Sequence, residues 1–456
     1  MRNDGADQRG PQRRGGRITR AGAGRTTVCA LVAASVLAGP TAAVVLVPSA
    51  ATSAGAASST ACQAPAPTTA ADSASTVGIT AKTVTVGNVS IVSGPVPGLF
   101  EGAPIGVKAY FDYINSKGGV DGRTLSVDGY DDGFNAQANL SDTTTAVSKD
   151  FALVGDFSLF DSSGCPVLAQ NPAVSNVSVT LDPGTNALPN TFSSQPLATG
   201  WNLGPLQYYK KHYPKDLTVG TLVSNVQSAI TQWNGEKAAL VHEGYKIGYE
   251  RAIGPLESDF TTDIIHMKSL GVNVVDLTAL DWQVAAIVIQ DMTQQGWKPN
   301  LIMSGGPVYA DQFIKTAGGA AATNGIWIGQ EQALYLGQDT KTVPAVSQFL
   351  TWVKKANPSW TPDLYTLFGW TSAALFVQAL QAAGPHPTRG AVLAQLKKVT
   401  SFDANGIIAT DDPAKKLPPT CYLMARIVNG NFVRQSDPSG AFRCDGSFFY
   451  ANASAG

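Results

Sequence analysis

Short apolar stretches alternate with longer amphipathic stretches along most of this chain, and this alternation limits its fold more than any single motif does. TVTVGNVSI, from Thr83, has the pattern of a strand, and GAPIGVKAYFDYIN, from Gly102, places its apolar residues at helical spacing. The alternation resumes after Leu203 and continues to NLIMSGG, which begins at Asn300. Strands that alternate with helices form parallel sheets covered by helices. The sequence therefore predicts an α/β fold with two doubly wound, Rossmann-like lobes.

Length and charge narrow the class of protein further. A chain of 456 residues exceeds what one ordinary core organises, so two or more domains are expected. Its net charge of −1, with only 14% charged residues, offers no basic face of the kind that binds nucleic acid. The hydrophobic content of 44% is ample for a folded body.

The N-terminal region has the pattern of a secretory signal. Residues 1–25 are polar and rich in arginine, an apolar run spans 29–47, and small residues follow. This order predicts a signal peptide over 1–56, with a membrane anchor as the alternative because the run is barely long enough to span. Residues 57–78 are rich in Ala, Ser, Thr and Pro, so we expect a flexible leader there. The folded body is expected to be extracytoplasmic, either secreted or tethered to the membrane.

The cysteines are consistent with an oxidising compartment. One of the five, Cys29, lies in the predicted signal, and the other four permit two disulfides. Cys421 and Cys444 flank a strand-turn-strand pattern with Asn-Gly at its turn, so they are the expected pair, and Cys62 with Cys165 would be the second. The alternative for Cys62 is lipidation, although the three residues before it match a lipobox poorly.

The stretch INSKGGVDGRTLSVDGYDD, residues 114–132, contains two features that could be mistaken for a functional site. Its glycines are not followed by a helix, so they cannot form a phosphate cradle at a helix N-terminus. Its adjacent acids, Asp131 and Asp132, point to opposite faces of an extended chain and do not converge on one cation. We therefore expect a structural joint in which one of them braces the loop before Asn135.

Motifs for catalysis are missing from the sequence. It contains no nucleophile elbow, no phosphate-binding loop and no dinucleotide fingerprint. None of the histidines, at positions 212, 242, 266 and 386, stands at metal-ligand spacing from another His or Cys. We therefore expect no enzyme activity, no metal and no cofactor, with an exported enzyme as the minor alternative. The loops after the strands are rich in hydroxyl, amide and aromatic residues, which is typical of a binding pocket at the strand ends.

Four stretches together resemble a known family: GITAKTVTVGNVS, the INSKGGVDGR…DD joint with the helix before it, FALVGDFS, and DFTTDIIHMKSLGVNVVDL with QDMTQQGWKPNLIMSG. They are similar to type I periplasmic binding proteins, and more narrowly to the Leu/Ile/Val-binding components of ABC importers. The resemblance covers the chain from about Val77 onward. It implies two lobes joined by a three-stranded hinge that close around a small ligand, with an ABC permease as partner and a monomeric state. A ligand sensor of the same fold is the alternative function.

The resemblance also implies domain bounds and site residues. Lobe 1 would span 79–197 with 328–404 returning to it, and lobe 2 would span 198–327 with 405–456 returning. A serine loop and a threonine loop of lobe 1 would hold a ligand carboxylate, an aromatic residue would cover the ligand, and lobe 2 would contribute polar groups. The matching residues are Phe157, Ser158, Leu159, Thr180, Asp182, Phe100, Asn225, Gln227, Ser228 and Gly306.

One departure from the family bears on the ligand. Amino-acid-binding members place an acid in the region that reads SGGPV here, where it pairs with the ligand ammonium, but this chain has Gly306 and Pro307. A buried ammonium without a carboxylate partner is costly, and only Asp182 or Asp156 could substitute from the other lobe. We therefore expect a small polar organic ligand, with amino acids, amides and related carboxylates as the candidates.

Overall fold

Two α/β lobes make up the part of the chain that the computed structural model describes, namely residue 62 and residues 64–196, 200–254, 257–435 and 440–451. The predicted signal peptide lies outside these residues. Each lobe is built on a largely or wholly parallel sheet covered by helices, which confirms the predicted fold class. Within the described ranges, no helix combines the length and the apolar character needed to cross a membrane.

Lobe 1 is built on a parallel sheet of five strands in the order β2-β1-β3-β4-β5. Its interior strand β1 is almost wholly buried, as its run of valines requires. The strands are β1 (Thr83–Ser90), β2 (Thr124–Asp131), β3 (Leu153–Val154), β4 (Asn176–Val177) and β5 (Thr191–Phe192). The helices that precede or connect them are α1 (Ala70–Ala74), α2 (Gly102–Asn115), α3 (Ala136–Lys149), α4 (Asp161–Gln170) and α5 (Pro183–Ala187).

Lobe 2 is built on a sheet of seven strands in the order β13-β12-β11-β10-β9-β7-β8. The first five strands of this sheet along the chain are β7 (Thr218–Ser224), β8 (Lys246–Ile253), β9 (Val274–Asp276), β10 (Leu301–Ser304) and β11 (Trp327–Gln330). They are preceded by β6 (Gly200–Asn202), which belongs to a separate two-stranded sheet. The helices between them are α6 (Leu203–His212), α7 (Gln227–His242), α8 (Thr261–Ser269), α9 (Trp282–Gln294), α10 (Asp311–Thr316) and α11 (Ala320–Thr323), with a 3-10 turn at Gly306–Val308.

Three helices that follow β11 are α12 (Pro344–Ala356), α13 (Leu364–Ala383) and α14 (Arg389–Leu396), and α12 and α13 pack against α2 of lobe 1. The approach of α13 to α2 is close because glycines face the contact. A Cβ atom on Gly369 would lie 2.0 Å from the carbonyl oxygen of Ala103, and one on Gly106 would lie 2.0 Å from that of Thr366. The core of lobe 1 is therefore completed by helices that come late in the chain.

The chain ends in lobe 2 with an antiparallel hairpin of β12 (Leu423–Val428) and β13 (Asn431–Arg434), followed by β14 (Phe448–Tyr450), which pairs with β6. Asn429 and Gly430 form the turn with φ values of 51° and 75°, as the predicted type I′ turn requires. β12 extends the sheet by pairing antiparallel with β11. A disulfide joins Cys421 to Cys444, the first pair expected from the sequence.

The segment predicted as a flexible leader is held in place where the structure describes it. A disulfide joins Cys62 to Cys165 of α4, and the Ala66 N–H donates to the Ala169 carbonyl at 2.9 Å. Beyond it, Thr69 and Asp72 form a capping box that starts α1. One sulfur cannot carry both a disulfide and a thioether lipid, so the structure favours the disulfide at Cys62.

The adjacent acids of the 114–132 stretch brace the loops around them, and both do so. Oδ1 of Asp131 accepts hydrogen bonds from the N–H groups of Val92 at 2.9 Å and Ser93 at 3.0 Å. Asp132 is buried and accepts from the Phe134 N–H at 3.1 Å and from the Asn139 side chain at 3.0 Å. The expectation of a structural joint is confirmed.

Three chain segments connect the lobes. The first runs from β5 to β6, the second follows β11, and the third precedes β12. Residues 331–333 and 407–409 pair antiparallel, with the Ala333 N–H donating to the Ile407 carbonyl and the Ala409 N–H donating to that of Glu331. The Gln332 side chain donates to that of Gln195 in the first segment. Together they form the three-stranded hinge.

Candidate functional site

A cavity of about 290 Å³ lies between the two lobes, at the carboxyl ends of the strands. Lobe 1 contributes the loops after β1, β3 and β4 and the start of α13, whereas lobe 2 contributes the loops after β7, β9, β10 and β11 and the first turns of α7. The hinge segments close one side. Ligands of open α/β sheets bind at this position, so the cavity is the candidate site.

The lobe 1 wall of the cavity is apolar and largely aromatic. Phe100 packs against Phe157 and Tyr365, with ring centroids 4.7 Å and 4.5 Å apart. Phe368 adds a fourth ring, 5.4 Å from that of Phe157. Leucines and prolines complete this wall, namely Leu99, Leu159, Leu181, Pro183 and Leu364. We call the four rings the aromatic cluster; it offers a ligand a broad apolar surface.

The lobe 2 wall carries polar atoms that have no partner in the protein. Ser228 is 8% exposed, Tyr209 is 2% exposed and Glu236 is 2% exposed, and all three line the cavity. The Ser228 Oγ, the Tyr209 hydroxyl and the Glu236 Oε2 make no hydrogen bond. Leaving a buried polar atom unpaired costs about 1–3 kcal/mol, so these atoms are placed to gain from a ligand.

Glu236 forms a buried acid pair with Asp276, the last residue of β9. Thr278 holds one oxygen of Asp276, through its N–H at 2.9 Å and its hydroxyl at 2.6 Å. Burial, followed by the charge of Asp276, holds the pKa of Glu236 well above its usual range. Burial also raises the pKa of Asp276, but its hydrogen bonds with Thr278 oppose that shift. Within the pair, Glu236 therefore holds its proton more readily than Asp276.

A second acid pair lies at the hinge. Glu331 lines the cavity and accepts a hydrogen bond from the Asn202 side chain at 3.3 Å, and burial raises its pKa to about 7. Its neighbour Asp411 is 5% exposed, and neither of its carboxyl oxygens has a partner. Burial, and then the charge of Glu331, raises the pKa of Asp411 to about 9. Two acidic sites thus border the space between the lobes.

Comparison with known proteins assigns the family. A family model described as "Periplasmic binding protein" matches residues 83–431, which is more than half of the chain. The chain belongs to this family. The Leu/Ile/Val-binding protein homolog 2 of Brucella abortus is 25% identical over 317 residues, covering 66% of this chain and 81% of that protein.

Solved structures of this family share the fold. A branched-chain amino acid ABC transporter protein from Thermus thermophilus with bound valine superposes with a TM-score of 0.67 at 15% identity, covering 78% of this chain and 96% of that one. A fatty acid ABC transporter substrate-binding protein from Thermomonospora curvata gives a TM-score of 0.66 at 18% identity, covering 79% and 92%. At these identities the likeness shows the fold alone.

The structure brings five of the site residues expected from the sequence to the cavity wall. Phe100, Phe157 and Leu159 lie on the lobe 1 side, and Ser228 and Gly306 lie on the lobe 2 side. Asn225 is exposed after β7 and does not line the cavity, and Gln227 is the first residue of α7. Aromatic and small residues in the loops that follow the strands thus meet at the wall of the cavity.

Three of the lobe 1 residues expected at the site, Ser158, Thr180 and Asp182, do not line the cavity. The Ser158 hydroxyl donates to Asp132 at 2.6 Å and accepts from the Phe160 N–H at 3.0 Å. Thr180 is buried and, with Ser158, lines a separate small cavity within lobe 1. Asp182 caps α5 by accepting from the Thr185 N–H at 2.7 Å. The side chains of Ser158 and Asp182 thus stabilise the lobe 1 loops.

Several cavity residues were missed from the sequence, among them Glu236, Glu331, Tyr209, Tyr365 and Asp281. Only Glu236 could have been found from a pattern in the sequence. Ser228, Gln232 and Glu236 recur every four residues, so they share the face of α7 that begins at the carboxyl end of β7. Among the residues that the structure describes, no group of three His, Cys, Asp or Glu side chains could hold a metal.

Proposed function

We propose that this protein is an extracytoplasmic solute-binding protein that captures a small organic ligand between two closing lobes and delivers it to the membrane permease of an ABC importer. It acts as a monomer and without a cofactor. The observation that carries the proposal is a cavity between the lobes that is lined by Ser228 and Tyr209, whose buried hydroxyl groups have no hydrogen-bond partner in the protein. A ligand that pairs them recovers the cost of their burial.

The construction of the cavity supports closure as the working step. Each lobe supplies one wall, so neither lobe alone encloses a ligand. The lobes are linked by the paired hinge segments, in which a few backbone rotations can move one lobe against the other. A ligand that contacts both walls stabilises the closed state by the difference between its affinities for the closed and open forms. Relatives named for branched-chain amino acid and fatty acid ABC transporters support an import role.

The first experiment tests capture and closure together. The folded protein is screened by thermal shift against amines, amides, carboxylic acids and amino acids, and each hit is measured by calorimetry and small-angle X-ray scattering. We expect at least one ligand to raise the melting temperature and to decrease the radius of gyration. Stabilisation without a change in radius would contradict closure, and a panel without any hit would contradict capture.

A cavity-filling variant provides the control. Ala229 lines the cavity and is half-buried, so Ala229→Trp should occupy the ligand's space, whereas Ala229→Ser should leave it open. We expect the tryptophan variant to lose the ligand response and the serine variant to keep it. Delivery is tested by uptake of the labelled ligand in cells that lack the gene. Uptake that continues without the protein would contradict the import role.

A further inference from the structure

The cavity is lined by several acidic side chains. Glu236, Asp281 and Glu331 line it, and Asp276 lies directly behind Glu236. No Lys, Arg or His is present in the lining formed by the described residues. A ligand carboxylate placed there would approach acids without any countercharge, in a space where burial weakens screening. The lobe 2 side of the cavity therefore disfavours anions.

Lobe 1 does not offer an anion site either. Its hydroxyl at Ser158 is engaged by Asp132 at 2.6 Å. The backbone N–H groups of Leu181 and Asp182, which follow β4 at the cavity edge, both donate to Oδ2 of Asp161 at 2.6 Å and 3.0 Å. An internal carboxylate thus occupies the donors that a ligand carboxylate would need. What lobe 1 presents to the cavity is the aromatic cluster and aliphatic side chains.

We infer that the ligand is an organic cation with an apolar body and no carboxylate, whose ammonium group binds at Glu236 and Asp276 while its body packs on the aromatic cluster. This inference rests on the proposed function and specifies its ligand class. The Ser228 Oγ and the Tyr209 hydroxyl, both unpartnered and on residues more than nine-tenths buried, accept hydrogen bonds from the N–H groups of such a head beside the acid pair of Glu236 and Asp276. Aromatic rings tolerate a cation well, because their quadrupole attracts positive charge.

The test compares ligands that share a body and differ only in the head. Butyl, hexyl and phenylethyl bodies are each measured as the primary amine, the neutral amide and the carboxylate, together with leucine and valine, by calorimetry at pH 7. For at least one body we expect the amine to bind about tenfold or more tightly than the amide, with the carboxylate weaker still. The amino acids should bind more weakly than that amine.

Variants then assign the head group to its site. Glu236→Gln removes the carboxyl at nearly constant volume, and we expect it to weaken amine binding by about 10- to 100-fold while the amide changes much less. Asp128→Asn removes one exposed carboxylate outside the lining and should leave every affinity unchanged. Circular dichroism of each variant shows whether it is folded. The head-group ranking in the unaltered protein tests the inference even if Glu236→Gln fails to fold.

The outcomes separate this inference from the proposed function. A carboxylate or an amino acid that binds more tightly than the matching amines, with closure of the lobes, would overturn the cationic ligand and leave solute capture intact. An amine preference that Glu236→Gln does not reduce would overturn the assigned site. If none of the amines, amides, carboxylates or amino acids binds, the result would contradict both solute capture and the inferred ligand class.

Discussion

The hinge acid Asp411 should make the protein less stable as pH rises, and Asp411→Asn should remove that dependence. Asp411 is 5% exposed and neither oxygen has a hydrogen-bond partner, so nothing in the fold stabilises its ionised form. Burial, and then the charges of Glu331, Asp412 and Asp403, raise its pKa to about 9 from the usual 3.8 of an aspartate. Asparagine is uncharged at every pH and nearly equal in volume.

The sign and size of the change in the free energy of unfolding follow from the number of protons that each state binds. Between pH 4 and 9 the folded protein keeps the Asp411 proton that the unfolded chain has lost, so the free energy of unfolding falls as pH rises. One such proton changes it by about 1.4 kcal/mol per pH unit. From pH 5 to pH 8 the full effect is about 4 kcal/mol, which water entry and local relaxation reduce. We expect Asp411→Asn to gain about 2–4 kcal/mol relative to the unaltered protein over this interval.

Urea denaturation at pH 5, 6.5 and 8 measures this difference. The two free-energy profiles should converge at low pH and separate steadily towards pH 8, with the variant more stable. Asp128→Asn, which replaces an exposed acid, should give a profile parallel to that of the unaltered protein. Parallel profiles for Asp411→Asn would refute the reasoning, because they would mean that Asp411 ionises normally in the folded state.

Three further changes test packing, bracing and the disulfide by the same assay. Gly369→Ala places a Cβ atom 2.0 Å from the Ala103 carbonyl oxygen, so we expect a loss of about 1–3 kcal/mol; an unchanged midpoint would contradict the close approach of α2 and α13. Asp132→Ala removes a buried acceptor of three hydrogen bonds and should cost about 3 kcal/mol or more. Cys62→Ser opens a crosslink between residues 103 apart and should cost about 2–4 kcal/mol, and reductant should cost the unaltered protein at least as much because it also opens Cys421–Cys444.

Patterns of neighbouring residues predicted most of the fold. The valine-rich strand at Thr83–Ser90 is buried on both faces, so its apolar run was readable without knowledge of its partners. Asn429-Gly430 predicted its hairpin because both residues accept positive φ. The expected cysteine pairs are also those that the structure contains. The strand, the hairpin and the pair Cys421–Cys444 were predicted from local patterns, whereas Cys62 and Cys165 were paired because they remained.

The site was harder to predict because the direction of a side chain depends on distant residues. Ser158 stands in a loop that could face a ligand, but its hydroxyl turns to Asp132, which lies 26 positions earlier. Glu236 was missed because an acid within a helix usually faces solvent, whereas here α7 packs so closely on β6 that Gly235 meets the Gly200 backbone. The family resemblance located the loops, and the packing decided which side chains they present.

The order in which the lobes are completed has a consequence for how the chain leaves a ribosome or a membrane channel. The face of α2 that belongs to the first core is covered by α13, which ends at Ala383, and β11 in the second sheet pairs with β12, which ends at Val428. A chain that emerges N-terminus first therefore finishes neither lobe until its last quarter has appeared. Contacts of such long sequence separation form slowly. Until then α2 and the edge of β11 lack their partners, and incompletely covered apolar surface of this kind is what chaperones bind.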